Sequence, residues 1–391
     1  MMAAWWSKPL PLGLLLYALT SGIVVLGASF GHQFITPPAE TPEQSFHEKF
    51  SAYDGGWYKW IATNGYQYDP NQQSSTAFFP LYPLLGAGMM RLTNLDATWA
   101  LLIVSHTSLA AAFVVAAIYL HGRRPKPDRS TVSLTLLALG LMPATFFFRM
   151  TYSESIFLLL TLLFLLGIQR NWPLPVVSLI AGLSTASRPV GVGLLVPLVI
   201  YAWHLSPHPR AFLTRMALSA PLACCGLIAY VAFLYVQFGD PLVFAKTQIH
   251  WGRAAPSLTT KLFALASYQP IWEIFLWQPP AGWSVFAWEQ VNPVYFAISV
   301  AVIVFGAWRG RLNIYETSLA AMLLLIPYLT RGYEMNMASS ARFAAVVFPV
   351  YLILGEWLSR LPPAVSAVVL GISTFFLGAY SALFAGGYPI F

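Results

Sequence analysis

The stretch Ser153–Ile168, which reads SESIFLLLTLLFLLGI, decides the fold class of this 391-residue chain. Its apolar residues follow one another without alternation, and similar runs recur along the chain at or near the roughly 17 to 25 residues that cross a bilayer as a helix. Hydrophobic residues make up 58% of the sequence and charged residues 9%, whereas soluble domains carry about 25% charged residues. A transmembrane barrel would show alternating segments of about ten residues. The sequence therefore predicts an all-α, polytopic membrane protein.

The short polar breaks between the apolar runs carry clustered basic residues. These are Arg123, Arg124, Lys126, Arg129, Arg170, Arg210, Arg215, Arg309, Arg311 and Arg360. Placing these breaks and Lys8 in the cytoplasm satisfies the positive-inside rule and puts the longer connections on the outer face. The first apolar run is long for a signal peptide and has no clear cleavage site, so we expect it to remain as a span.

With this orientation we expect roughly eleven transmembrane helices, given the length needed to cross a bilayer. They lie near residues 10–30, 96–120, 131–149, 154–169, 173–187, 190–204, 211–236, 292–308, 313–330, 342–358 and 363–385. One membrane domain over residues 1–391 is the simplest division of the chain. Such a chain is an integral, multi-pass protein.

Two external segments are long, residues 32–95 and residues 238–291. The first contains Phe78–Leu92, which is too short and too interrupted by proline to span a bilayer. The second is rich in tryptophan, with Trp272, Trp277, Trp283 and Trp288. Tryptophan at this density favours the headgroup level. We therefore expect interfacial helices in these segments rather than a soluble domain.

Several common enzyme signatures do not occur. The sequence has no GxxxxGK[ST] and no GxGxxG, so a nucleotide site has no support, and neither CxxC nor HExxH is found. His204 and His208 are separated by Pro207 in a polar break, which favours ordinary loop residues over metal ligands. We predict no resident cofactor, no metal site and no nucleic-acid partner.

The predicted outer face carries charged residues of both signs at nearly every turn. Asp54 lies in the polar stretch Phe50–Tyr66, FSAYDGGWYKWIATNGY. The others are Arg149, Glu154, Arg188, Asp240, Lys246, Arg253, Arg331, Glu334 and Arg342. Each alone is typical of a charge that extends to the interface. Together they indicate an outward-facing site at the membrane surface.

One reaction that suits this set is sugar transfer from a polyprenyl phosphate to a hydroxyl. The leaving phosphate departs as a stable anion and needs positive charge nearby, which arginine supplies with a planar, often bidentate geometry. The attacking hydroxyl needs one general base, and the lone carboxylate of Asp54 is sufficient for that role. A lipid-linked donor would reach the site through the bilayer, in agreement with the missing nucleotide motifs.

The motifs resemble those of the PIG-V-type mannosyltransferases, which add the second mannose of glycosylphosphatidylinositol, and of their bacterial relatives. The matching stretches are Tyr53–Tyr66 (YDGGWYKWIATNGY), Ala77–Leu85 (AFFPLYPLL), Tyr152–Phe157 (YSESIF), Ser187–Gly191 (SRPVG), Phe238–Phe244 (FGDPLVF), His250–Arg253 (HWGR) and Ser339–Pro349 (SSARFAAVVFP). The resemblance implies a GT-C glycosyltransferase-like architecture, an inverting single displacement, a polyprenyl-phosphate-mannose donor of the dolichol phosphate mannose type, and Asp54 as the base. Tyr53 stands where tryptophan is common among the relatives. No second acid adjoins Asp54, so a divalent metal held by an acidic pair in this loop is not supported.

The remaining site residues are assigned as hypotheses. Gly55 and Gly56 permit close backbone approach or an unusual backbone angle. Trp57 and Tyr58 either stack on a sugar or anchor the interface. The candidates for the donor phosphate are Arg188, Arg253, Arg342 and, less directly, Lys246. Glu154 orients an arginine or a sugar hydroxyl, or else pairs with Arg149, which we leave outside the site.

The competing interpretation is a transporter or flippase of a lipid-linked sugar. Such proteins usually show repeated halves or ionisable residues in the middle of their spans, and neither feature stands out here. The compact length and short loops favour the plasma (inner) membrane of a prokaryote, with the site on the external, periplasmic face. The acceptor, a glycan or glycolipid hydroxyl, and the choice of mannose over another prenyl-linked sugar are specified by no motif.

Overall fold

The apolar runs of the chain form helices in a computed structural model that describes residues 8–38, 44–253, 257–276 and 288–390, a portion that contains no β-strand. The α-helices are, in chain order, α1 (Pro9–Phe34), α2 (Asp54–Asn64), α3 (Leu81–Thr93), α4 (Ala97–Gly122), α5 (Arg129–Leu141), α6 (Glu154–Gln169), α7 (Leu174–Ser187), α8 (Leu195–His204), α9 (Pro209–Ala223), α10 (Cys225–Phe238), α11 (Val243–Lys246), α12 (Leu258–Ala266), α13 (Gln269–Trp272), α14 (Trp288–Trp308), α15 (Ile314–Pro327), α16 (Ser340–Ala345), α17 (Phe348–Arg360) and α18 (Pro363–Ala385). Short 3₁₀ segments include His47–Ser51, Ser75–Ala77, Pro143–Arg149, Pro189–Leu194, Thr247–Trp251 and Glu273–Phe275, and residues Tyr328–Gly332 form a π-helical turn.

Each predicted span coincides with a helix or with two helices in succession. Within the described ranges, four helices are long and apolar enough to cross a membrane, namely α1, α4, α18 and residues 290–308 of α14. The count rises to six if two bent pairs are each one span, α5 with Pro143–Arg149 and α9 with α10. Three further apolar stretches are shorter, at 154–169, 174–187 and 189–204. The all-α membrane fold is confirmed, whereas the number eleven stays a prediction.

A sharp bend follows α5 and directs the chain toward the segment that precedes α6. Helix α5 and the 3₁₀ turn Pro143–Arg149 meet at 76°. Met142, which precedes the proline, has φ −57° and ψ 131°, outside the helical region, because the proline ring disfavours helical geometry at the residue before it. The run predicted as one span at 131–149 is thus a helix followed by a bent turn, and Met150–Ser153 leads from it into α6.

The first and last long helices pack against each other through small residues. A Cβ atom added at Gly31 of α1 would collide with the backbone carbonyl of Ala382 in α18, so only glycine permits this approach. Membrane helices commonly associate in this way, because lipid tails provide no hydrophobic force between helices and close van der Waals packing does. The contact brings the C-terminal segment beside the first external segment, where Tyr53 Oη donates to the carbonyl of Gly387 at 2.9 Å.

Polar side chains gather at two opposite ends of the helices. Helix α6 begins at Glu154 and ends at Gln169, whose side chain donates to the carbonyl of Tyr119 at 3.0 Å. Nearby, Arg123 Nε lies 2.8 Å from Glu316 Oε1. We call this the Arg123 end, and we call the opposite end, which contains Asp54 and Glu154, the Asp54 end.

The basic breaks assigned to the cytoplasm meet at the Arg123 end. Arg123 donates to the carbonyl of Arg311, and Thr131 donates to Ser359 at 2.9 Å, next to Arg360. His204, at the end of α8, lies 2.7 Å from the hydroxyl of Tyr315 at the start of α15. Breaks that are far apart in sequence are therefore neighbours in space, in agreement with their predicted location on one side of the membrane.

Candidate active site

Asp54 is the first residue of α2, and two hydrogen bonds from the segment before α6 hold the loop that precedes it. The amide of Thr151 donates to the carbonyl of Phe50 at 3.0 Å, and Tyr152 Oη donates to the carbonyl of Ala52 at 3.0 Å. Tyr53 has φ 53° and ψ −117°, a conformation that costs a non-glycine residue about 1–3 kcal/mol and persists only where surrounding contacts impose it. The chain thus enters α2 through a strained residue directly before the carboxylate.

The two glycines after Asp54 differ in their surroundings. A Cβ at Gly55 would collide with Thr151 Oγ1, whereas the nearest atom to a Cβ at Gly56 would be the carbonyl oxygen of Ser51 at 3.8 Å. Close backbone approach, which the sequence suggested for both glycines, is therefore found at Gly55. The unusual backbone angle is found at Tyr53 instead.

Four predicted site residues from separate segments form one ion-paired cluster. Arg342 Nη1 lies 2.7 Å from Asp54 Oδ2, and Arg342 Nε lies 3.2 Å from Glu154 Oε1. Arg188 Nη1 approaches the same Oε1 atom of Glu154 at 2.5 Å. We call Asp54, Glu154, Arg188 and Arg342 the charge cluster. Arg342 bridges the two carboxylates, and Glu154 bridges the two arginines.

The charge cluster lies at the border between protein interior and exposed space. The Glu154 side chain is 2% exposed and the Asp54 side chain 28% exposed. The Arg342 guanidinium carbon lies 5.3–5.4 Å from the ring centres of Phe147, Tyr152 and Phe343. Asp54 is thus the accessible member of an otherwise enclosed set.

Several buried polar atoms in these segments have no hydrogen-bond partner within the described structure. They are Glu154 Oε2, Arg188 Nη1, Arg342 Nε, Ser187 Oγ and Ser340 Oγ. The contacts of both arginines with Glu154 are therefore close charge contacts that lack the directional geometry of hydrogen bonds. The other three atoms, Glu154 Oε2, Ser187 Oγ and Ser340 Oγ, have no such charge contact, and an unpaired buried polar atom costs about 1–3 kcal/mol. Their concentration here indicates a site that a polar ligand would complete.

The aromatic residues beside Asp54 are packed into the protein. Tyr58 is buried, and its hydroxyl lies 2.9 Å from Ser153 Oγ. Burial, reinforced by the Glu154 carboxylate, raises the pKa of Tyr58, which favours the neutral phenol. Trp57 is half-buried and stacks on Phe78, with ring centres 5.8 Å apart. Sugar stacking by Trp57 and Tyr58 stays a prediction.

Two of the predicted phosphate ligands are engaged elsewhere in the described structure. Arg253 Nη2 lies 3.0 Å from Glu273 Oε2, and its guanidinium carbon lies 4.3 Å from the ring centre of Tyr333. Lys246 is exposed and pairs with Asp240, whose pKa is lowered by the hydrogen bond from Lys246. Neither basic residue makes a described contact with the charge cluster. Their role at the donor phosphate stays a prediction.

Glu154 does not pair with Arg149, which was one of the alternatives open for it. Arg149 is fully buried and donates to Ser21 Oγ at 3.2 Å, to Thr20 Oγ1 at 2.7 Å and to the carbonyl of Thr145 at 3.0 Å. A fully buried arginine bonded to neutral oxygens anchors the bend before α6. The structure thus favours the alternative in which Glu154 orients arginines.

Arg331 is a further arginine at this end; the sequence analysis counted it among the outer-face charges but gave it no role in the site. It lines a narrow cavity together with Ser340 and Phe343. Phe343 also lies 5.4 Å from the guanidinium carbon of Arg188, so the cavity adjoins the charge cluster. Arg331 Nη1 donates to the carbonyl of Gln248 at 3.4 Å and Nη2 donates to Met335 Sδ at 2.9 Å, and no carboxylate of the described residues pairs with it. No sequence signal separates Arg331, which has no carboxylate partner among the described residues, from the arginines that do have one.

The two long segments that the sequence predicts to be external, residues 32–95 and 238–291, meet beside the charge cluster. Gln73 Nε2 donates to the carbonyl of His250 at 3.1 Å, and the rings of Trp57 and Trp251 are 6.0 Å apart. The first segment contains α2 and α3 and the second α11 to α13. Of the tryptophans predicted for the second segment, Trp277 and Trp283 and the side chain of Trp288 lie outside the described residues. Within the described residues, no group of three or more His, Cys, Asp or Glu side chains is arranged to hold a metal ion.

Comparison with known proteins identifies a family and a fold. The profile of the family described as Mannosyltransferase (PIG-V) matches residues 36–268, more than half of the chain. No curated protein sequence matches significantly. The apo form of the Archaeoglobus fulgidus oligosaccharyltransferase is similar in fold, with 13% identity and a TM-score of 0.50 over 99% of this chain and 57% of that chain.

The same archaeal enzyme tethered to an acceptor peptide with the NVT sequon matches at 12% identity and a TM-score of 0.48, over 99% of this chain and 56% of that chain. The present chain therefore spans just over half the length of those oligosaccharyltransferase chains. At such identities the likeness concerns the fold alone. The GT-C-like architecture expected from the motifs is confirmed.

Proposed function

Because this chain belongs to the PIG-V family of mannosyltransferases and is a membrane glycosyltransferase, we propose that it transfers mannose from a polyprenyl-phosphate-mannose donor to a hydroxyl group. The acceptor is a glycan or glycolipid, and Asp54 is the general base. The Arg123 end faces the cytoplasm and the Asp54 end faces outward, because the clustered basic breaks lie at the Arg123 end. The membrane is the plasma membrane of a prokaryote.

The observation that carries the proposal is the convergence of the charge cluster. Asp54, Glu154, Arg188 and Arg342 come from four distant segments, yet they are joined by contacts of 2.5–3.2 Å. The cluster combines buried arginines and a buried Glu154 with the partly exposed carboxylate of Asp54, and Glu154 Oε2 has no hydrogen-bond partner in the described structure. Partly unsatisfied charged groups in a protected position are typical of active sites.

The proposed reaction is a single displacement. The acceptor oxygen attacks C1 of the mannosyl group, the bond from C1 to the phosphate oxygen breaks, and the electron pair leaves with the polyprenyl phosphate. The proton of the acceptor hydroxyl passes to Asp54. Arg342 binds the Oδ2 oxygen of Asp54, which leaves Oδ1 to receive the proton. General base catalysis of this kind contributes about 10²–10⁴-fold in rate.

The arginines stabilise the negative charge that develops on the leaving phosphate. Arg188 and Arg342 are partly neutralised by Glu154 and Asp54. Arg331, which has no carboxylate partner among the described residues, contributes a further positive charge beside them. Glu154 holds the two cluster arginines through Oε1, and its unpaired Oε2 accepts a hydrogen bond from a sugar hydroxyl. Charge stabilisation by prearranged donors is often the largest single contribution to catalysis.

The test is transfer from labelled polyprenyl-phosphate-mannose by the purified protein in detergent, with a panel of glycan and glycolipid acceptors. Asp54→Asn should reduce turnover at least about a hundredfold while leaving folding and donor binding intact. The matched control is Asp69→Asn, an acid in the same external segment whose carboxylate bonds to Asn71 and Gln72. Near-normal turnover by Asp54→Asn removes that residue from the mechanism.

The same assay tests the donor assignment and distinguishes an enzyme from a flippase. Transfer from a nucleotide-linked mannose in place of the lipid-linked donor would contradict the donor assignment. Glycoside formation in detergent, where no second compartment exists, supports an enzyme. Movement of the lipid-linked sugar across vesicles without any bond formation would instead support a flippase.

A further inference from the structure

A second charged cavity lies at the Arg123 end, between the C-terminal ends of α14 and α17 and the turn into α15. Its volume is about 220 Å³, and it is lined by Phe305, Arg309, Arg311, Glu356, Trp357 and Arg360. Helix α17 has 13 residues, which is roughly 20 Å at 1.5 Å per residue. The cavity is therefore remote from the charge cluster and takes no part in the proposed reaction.

Positive charge exceeds negative charge in this cavity. Arg311 Nη1 lies 3.1 Å from Glu356 Oε1, and Arg360 pairs with the same oxygen atom. Glu356 is the cavity's carboxylate, so three guanidinium groups share one negative charge. The neighbouring acid Glu316 does not correct the imbalance, because Arg123 already binds both of its oxygens at 2.8 and 2.9 Å.

Arg309 is the guanidinium group without a carboxylate partner in the described part of the chain. Its guanidinium carbon lies 5.1 Å from the ring centre of Trp308 and 5.7 Å from that of Phe305. Phe305 also packs against Trp357, with ring centres 5.3 Å apart. The aromatic rings hold Arg309 at the rim, where its donors are available to an anion.

The chemistry of the cavity suits a phosphate group. Guanidinium groups bind phosphate through paired, charge-assisted hydrogen bonds, and a phosphate would relieve the repulsion among Arg309, Arg311 and Arg360. Basic pockets between helices on the cytoplasmic side of membrane proteins bind lipid headgroups in this way. We propose that this cavity binds the phosphate of an anionic membrane lipid.

The surface beside the cavity favours a lipid over a soluble phosphate. Val294, Ile298, Val304 and Trp308 are exposed on α14, so an apolar strip runs along this helix and ends next to Arg309, which lines the cavity. Tryptophan at such a position lies at the headgroup level of the bilayer. The phosphate would rest among the arginines while the acyl chains lie along α14.

The experiment measures lipid binding to the full-length protein in an uncharged detergent. A short-chain phosphatidylglycerol, the matched phosphatidylcholine and inorganic phosphate are titrated separately. The variants are Arg309→Gln, which removes the unpaired guanidinium and leaves the Glu356 pairs in place, and Arg309→Lys, which keeps the charge but loses the planar donor pair. The control is Arg129→Gln, an exposed arginine at the same end but outside the cavity.

We expect phosphatidylglycerol to bind more tightly than phosphatidylcholine. Arg309→Gln should weaken its binding by about tenfold or more, the equivalent of one charge-assisted hydrogen-bonded contact, while Arg129→Gln leaves it unchanged. The phosphatidylglycerol affinity of Arg309→Lys should lie between those of Arg309→Gln and Arg129→Gln. Equal weakening by Arg309→Gln and Arg129→Gln would overturn the site, because binding would then depend on overall charge. Inorganic phosphate that binds as tightly as the lipid would overturn the lipid assignment.

Discussion

Arg342 Nη1 lies 2.7 Å from Asp54 Oδ2, and this contact joins residues 288 positions apart in sequence (342 minus 54). The same guanidinium reaches Glu154 through Nε at 3.2 Å. Arg342 therefore contacts both the proposed base and the buried acid. It also lies on the short helix α16, whose Ala341 amide is bound by Asn292 of α14 at 2.9 Å. The position of the base depends on packing far from the first external segment.

Replacement of Arg342 tests this relationship. Arg342→Gln should lower the turnover number by about a hundredfold, as expected for the loss of one prearranged charge-stabilising donor. Arg342→Lys should rescue only part of it, because a single ammonium group does not bridge Asp54 and Glu154 as the planar guanidinium does. Turnover is measured at saturating donor. Arg91→Gln, an exposed arginine in the first external segment, is the control, and full activity of Arg342→Lys would contradict the bridging role.

Glu154→Gln should destabilise the protein strongly. It leaves two buried guanidinium groups, those of Arg188 and Arg342, without their shared carboxylate, and breaking a buried pair costs about 3–5 kcal/mol. The measurement is the unfolding free energy, or the thermal inactivation midpoint in detergent. Glu48→Gln serves as control, since Glu48 and Lys59 form an exposed pair at 3.2 Å worth about 0–1 kcal/mol. Equal losses for the two variants would argue against a buried network.

The pair Gly55 and Gly56 offers a matched steric test. Gly55→Ala should displace the start of α2 and reduce turnover by about a hundredfold, the cost of an ångström-scale misplacement of a catalytic group, because its Cβ collides with Thr151 Oγ1. Gly56→Ala has space for its Cβ and should retain activity, with a gain in helix stability of up to about 1 kcal/mol.

A second substitution identifies the cause of the Gly55 effect. Thr151→Ala removes the colliding oxygen, so activity should return in part when it is combined with Gly55→Ala. The comparison uses turnover of the double variant relative to each single variant. If the double variant is no more active than Gly55→Ala alone, the clash with Thr151 is not the cause.

Arg331 and Arg253 should differ in their contribution to donor binding. Arg331→Gln removes an uncommitted guanidinium beside the charge cluster and should raise the KM for the lipid-linked donor by about tenfold or more, the value of a hydrogen bond to a charged group. Arg253→Gln should change this KM less, because Arg253 is occupied by Glu273 and Tyr333. Binding of the polyprenyl phosphate alone gives the same comparison without catalysis. The opposite order would favour Arg253 over Arg331 as the phosphate ligand.

The amino-acid sequence was sufficient for the helical membrane fold, for the helix positions and for the family. The apolar run Ser153–Ile168 is a helix at Glu154–Gln169, because a continuous apolar segment of that length satisfies its backbone hydrogen bonds internally and buries its side chains in either protein or lipid. Basic breaks likewise predicted which turns share one end. These are local properties, or sums of local properties, and they are visible along a single chain.

The tertiary structure alone decided which charges are partners. Arg188, Arg253 and Arg342 look alike in sequence, yet two of them share Glu154 while the third pairs with Glu273. Arg331, which no motif singled out, stays without a carboxylate partner in the described structure. The positive φ of Tyr53 has no signature in its own residue type. Ion pairs and imposed backbone angles depend on distances of a few ångströms between segments far apart in sequence, and only packing of the whole chain sets those distances.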